Sequence, residues 1–149
     1  MKSNFLMHCL FILLSFQSCN DSKSKISFHK SHEPNRANVP FSDAVETENL
    51  LFLTGQIGKN HKTGELISGG IEAETKQVIE NIKAVLAHHN LSLDNVVKCT
   101  VILEDINDFK AFNSVYTKYF TKKPARTTFA ASALAGGAHI EIDVIAAKL

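Results

Sequence analysis

Between residues 71 and 103 the apolar spacing changes once, from a helical period to a strand period, and this commits the chain to a mixed architecture. Ile71, Val78, Ile82, Val85, Leu86 and His89 recur at helical spacing, while Glu72, Glu74, Lys76, Glu80 and Lys83 fall largely on other faces. One stripe of this helix, over residues 71–89, must therefore be buried against another layer, and Asn90 is placed to cap it. The layer follows at once. Residues 96–103 (VVKCTVIL) are rich in β-branched side chains and read as a strand with Val97, Cys99, Val101 and Leu103 on one face. Cys99 is then a small buried hydrophobe rather than a reactive thiol.

The alternation continues on either side. Residues 44–45 and 50–55 flank a polar turn and read as two strands, followed by a glycine-containing loop over 56–65. Asp105 and Asp108 are cap candidates for a second helix over 109–120, carrying Phe112, Val115, Tyr116, Tyr119 and Phe120, and Pro124 stops it. Residues 127–131 and 140–146 read as strands. The last has Ile140, Ile142 and Val144 on one face and Glu141, Asp143 and Ile145 on the other. The order β-β-α-β-α-β-β predicts an α+β domain with its helices on one face of the sheet.

The 149 residues hold one such domain and little more. Lys2, an apolar run over residues 5–16 and then Gln17-Ser18-Cys19 resemble a bacterial lipoprotein signal, the run being too short to span a bilayer, which takes about 17–25 residues. The expected division is a signal peptide over 1–18, a lipidated Cys19 with a flexible polar tether to residue 38, and a folded domain over 39–149. The chain is then exported, as a periplasmic or outer-membrane-anchored lipoprotein, or cytoplasmic if the segment does not act as a signal. Cys9 leaves with the signal, so no intrachain disulfide is expected.

Composition excludes several classes. A formal net charge of +1 gives no basic field for a phosphate backbone, and there is no dinucleotide or phosphate loop, no GxSxG, no HExxH and no CxxC. His29, His32 and Glu33 sit on the polar segment without a fourth ligand, and adjacent His88 and His89 would point about 100° apart on a helix. No metal and no cofactor are expected. Two charged residues stand out by position: Arg126, entering a strand behind Pro124, and Glu141, between isoleucines in the final strand.

From about Pro40 onward the chain resembles the RidA/YjgF family of enamine/imine deaminases. The matching stretches are 40–45, 51–57, 75–86, 93–98 and 109–120, and most specifically Pro124-Ala125-Arg126, Leu134 and Ile140-Glu141-Ile142. The resemblance implies a chorismate-mutase-like fold forming a homotrimeric barrel with sites between subunits. It also implies cofactor-free hydrolysis of 2-imino acids of the 2-aminoacrylate type to 2-keto acids and ammonia. Carried over, Arg126 clamps the substrate carboxylate and Glu141 activates water or moves its proton. Gly55 approaches the ligand beside Thr54, which stands where a serine is common. Asn113 lines the pocket. Thr128 replaces a frequent Cys, and Phe41 replaces a frequent Tyr. His139, two residues before Glu141, would share its strand face, and the loop over 134–139 lacks the family's usual Leu-Pro. Two alternatives remain: an exported small-carboxylate-binding module without catalysis and, less favoured by the balanced charge, RNA cleavage or translation inhibition. The membrane would be met only through the lipid on Cys19.

Overall fold

The computed structural model describes residues 26–148. The apolar run, Cys9 and Cys19, on which the signal and the lipid anchor rest, lie outside the described residues. Among the described residues no helix is long and apolar enough to cross a membrane.

Strands β1 (Ser27–His29), β2 (Ala44–Glu46), β3 (Leu50–Leu53), β4 (Gln56–Ile57), β5 (Val96–Leu103), β6 (Ala125–Ala130) and β7 (Ile140–Ala147) form one sheet in the order β1-β2-β3-β7-β5-β6, with β4 also on β7. Helix α1 (Gly70–His88) connects β4 to β5, and α2 (Phe109–Tyr119) connects β5 to β6. Only β5 and β6 are parallel. A parallel pair needs a crossover, and α2 supplies it.

Both helices cover one face, as their periodicity predicts. Val78, Ile79, Ile82, Val85 and Leu86 of α1 and Phe112 and Tyr116 of α2 close over Cys99, Val101, Leu103, Ile140, Ile142 and Val144. Asn90 ends α1 in the left-handed region (φ 59°), where Asn is tolerated, and the Leu91 amide donates to the Leu86 carbonyl. Tyr116 donates to Cys99 Sγ at 3.3 Å, and burial pushes the Cys99 thiol up from its ordinary range, in keeping with an inert core residue.

Two expectations are corrected. A register shift between Val96 and Lys98 turns Val96 into the core and leaves Val97 exposed, so Val97 does not share the face of Cys99. Residues 27–29 and 34–36, expected within the tether, belong to the folded part. β1 pairs antiparallel with β2, a 3-10 turn occupies Pro34–Arg36, and the Arg36 guanidinium meets the buried Asp43 carboxylate at 2.8 Å. Counting apolar residues missed this segment because ladder hydrogen bonds and an ion pair hold it, not apolar burial.

Candidate active site

Pairing on β7 determines where its charged residues go. Ile142 and Val144 pair with Val101 and Cys99 and face the helices. Glu141 and Asp143 pair with Ile102 and Thr100 and therefore point to the opposite face. There Glu141 lies directly over the Gly55 backbone. A Cβ on Gly55 would stand 1.8 Å from Glu141 Oε1, so only glycine lets the carboxylate occupy this place. Burial first, and the nearby Asp143 carboxylate second, push Glu141 above the ordinary carboxylate range. A carboxyl held this way can exchange a proton with a bound reactant nearer neutral pH.

Glu141, Gly55, Thr54 and Phe41 line one open cleft of about 570 Å³, joined by Arg36, Lys59 and His61. Arg36 is pinned there by three partners, with Asp43 at 2.8 Å and both Gln56 Oε1 and His61 Nε2 at 2.7 Å from its nitrogens. Burial, then the Arg36 charge, lower the His61 imidazole from its ordinary range, which favours the neutral ring. Sequence reasoning missed this group. Its one signal was Asp43, an acidic residue entering an apolar strand with no local partner.

Arg126 lies elsewhere. It pairs with Cys99 across the parallel β5–β6 ladder and so faces the helices. Its guanidinium rests against the rings of Phe109, Phe112 and Tyr116, with centroids 5.6, 5.1 and 4.6 Å away, and donates to Asn113 Oδ1 at 2.8 Å. Among the described residues it has no carboxylate partner. Thr128 is on the same face, paired with Val101, and its buried hydroxyl oxygen has no hydrogen-bond partner among the described residues. Such a group is unusual in a folded chain and is satisfied by a ligand or a neighbour.

The fold thus gathers the expected residues into two separate groups rather than one. Glu141, Thr54, Gly55 and Phe41 share the cleft, and Arg126, Asn113 and Thr128 share the other face of the sheet.

His139 departs from its expected place. It precedes β7, its backbone N–H donates to Glu74 Oε2 at 2.9 Å, and Nδ1 lies 2.5 Å from Glu74 Oε1. The imidazole is engaged with α1 and not with Glu141. The hydrogen bond to buried Glu74 raises His139 above its ordinary range, more than burial lowers it. A Cβ on Gly58 would come within 2.6 Å of the Glu74 side chain, so that glycine keeps room for the pair.

The histidines at the other end of α1 turn to separate partners, as adjacent helical positions predict. His89 is the C-cap with φ −100°, and its ring plane stands 87° from that of His88. Its ring packs edge-on against His29, with centroids 4.7 Å apart, while His32 stacks on His88 at 4.5 Å.

Residues 30–148 match the sequence profile of the family described as endoribonuclease L-PSP. The chain belongs to this family, the RidA/YjgF family. A RutC family protein of Pyrococcus horikoshii is 47% identical over 110 residues, covering 73% of this chain and 87% of that protein. The human protein named 2-iminobutanoate/2-iminopropanoate deaminase is 41% identical over 108 residues, covering 72% of this chain and 79% of its own. The crystal structure of the yeast protein YEO7 superposes with a TM-score of 0.78 at 43% identity, spanning 84% of this chain and all of that one (100%). The RidA/YjgF fold is thereby shown for the described domain, helices and sheet together.

Proposed function

We propose that this RidA/YjgF protein hydrolyses 2-imino acids to 2-keto acids and ammonia, at a site that two copies of the chain complete together. Arg126 carries the proposal. It is a guanidinium on an aromatic platform, steadied by one neutral acceptor, with no carboxylate of its own among the described residues, and so is suited to a small carboxylate ligand. The human relative's name supports an imino acid as that ligand.

The two half-sites supply complementary chemistry. Arg126 and Asn113 of one copy hold and orient the substrate carboxylate, and the Thr128 hydroxyl offers a further donor. Glu141 of the other copy, over Gly55 and beside Thr54, takes a proton from water as its oxygen adds to the imine carbon. The same carboxyl passes that proton to the nitrogen, giving a carbinolamine, and then moves the proton of the new hydroxyl to the nitrogen as the C–N bond breaks, releasing ammonia and leaving the ketone. No outside oxidant or reductant is needed: one water is consumed for each imine. The face bearing Glu141 also carries the exposed rings of Phe52 and Phe129, an apolar surface suited to burial against further copies in the expected trimeric barrel.

The test is ammonia and keto-acid release from imines generated in situ by an amino-acid oxidase. Arg126→Ala and Glu141→Gln should each lower kcat/KM by about 100-fold or more. Full activity in Glu141→Gln would remove the carboxylate from the chemistry, whereas a wild type that binds a 2-keto acid through Arg126 but hydrolyses no imine would be a carboxylate-binding module.

A further inference from the structure

We propose that His29, Glu46 and His89 form a binding site for a borderline transition-metal dication of the zinc type, which staples β1 to the C-terminal end of α1. The three residues are far apart in sequence and come from β1, β2 and the cap of α1. One ligand atom from each lies within 4.8 Å of the others.

The His29–Glu46 contact is already arranged for a cation. His29 Nε2 lies 2.8 Å from Glu46 Oε2, and the proton they share occupies the ground a metal would take. Ligand atoms around a four-coordinate zinc sit about 3.3 Å apart at bond lengths near 2.0–2.1 Å, so small side-chain rotations bring all three into range. Two imidazoles and one carboxylate suit zinc, cobalt, nickel or copper, not the all-oxygen preference of magnesium or calcium. A fourth position is left for water.

Three surrounding features favour the site. Glu46 uses its other oxygen, Oε1, to accept from Lys148 Nζ, an outer contact that holds the carboxylate plane in place. The site also lies at the end of α1 where the helix dipole is negative. A cleft of about 330 Å³, lined by Glu46, His88, His89 and Lys148 among others, opens beside it. His32 and His88 stack on each other next to the triad but are not part of it.

The experiment is calorimetric titration of the full chain, stripped of metal, with zinc chloride, repeated with cobalt chloride followed by visible absorption. The proposal expects an equivalent of zinc per chain whose affinity falls at least tenfold in His29→Asn, Glu46→Gln and His89→Asn and is kept in His32→Asn. Zinc should raise Tm in the wild type and not in His89→Asn, whose metal-free Tm shows that it folds. An affinity unmoved by His29→Asn and His89→Asn, a thiolate charge-transfer band with cobalt, or no uptake at 100-fold excess would each overturn it.

Discussion

Gly55→Ala is the sharpest single perturbation of the candidate site, because it adds one methyl group at a known distance from one carboxylate. The new Cβ would stand 1.8 Å from Glu141 Oε1 and 2.8 Å from its Cδ. A comfortable carbon–oxygen contact is about 3.3 Å, so the carboxylate must retreat by about 1.5 Å. Misplacing a reacting group by about 1 Å costs on the order of 100-fold in rate, or about 2.7 kcal/mol of activation free energy. Gly55 has no left-handed φ, so alanine adds no backbone strain, and the open cleft gives the displaced carboxylate somewhere to go. The expected outcome is a kcat/KM lowered about 100-fold with Tm changed by only about a few degrees. The coupled imine assay and a thermal melt measure the two. Gly55→Ala should also cost little more activity in a Glu141→Gln background, since both changes act through the same carboxylate. A Gly55→Ala protein within threefold of wild-type activity would refute the placement of Glu141 in the chemistry.

Three further outcomes follow from the charged groups. Burial and Asp143 raise the Glu141 pKa in the folded state, so its contribution to stability is fully present below the ordinary carboxylate pKa and is lost as pH rises through the raised value. Glu141→Gln should therefore raise Tm at pH 7 and do little at pH 4, as thermal melts at the two pH values will show. Asp143→Asn removes the like charge beside Glu141, so the acid limb of the kcat/KM profile should move to lower pH. His139 is raised by Glu74, so its stabilising effect is present below about pH 6.5 and fades as pH rises through the folded value. The Tm loss in His139→Ala should therefore be larger at pH 6 than at pH 9.

Much of the domain is legible in the sequence because periodicity reports which face is buried. The 3.6-residue stripe from Ile71 to Leu86 and the alternation from Ile140 to Val144 both meet in the core as read. What periodicity does not encode is pairing. Nothing in residues 125–130 says that β6 runs parallel to β5 at the sheet edge, and only that register puts Arg126 on the face away from Glu141. Periodicity is silent on residues 27–36 for a related reason: their order comes from polar contacts between distant residues, Arg36 with Asp43 and His29 with Glu46. His139 was misplaced because β7 begins one residue later, which frees its ring to turn to Glu74.

Co-expression of Arg126→Ala and Glu141→Gln chains, separately tagged and purified through both tags against a randomly mixed pool, tests most directly whether one site needs two copies. Each variant alone lacks one half of every site. In a random mixture about one site in four pairs an intact Arg126 with an intact Glu141 from the neighbouring chain, whatever the number of copies in the ring. Recovery of about a quarter of wild-type kcat per site in the pool is the expected result. Mixed assemblies as inactive as either parent would contradict it and place both residues' action within a single chain.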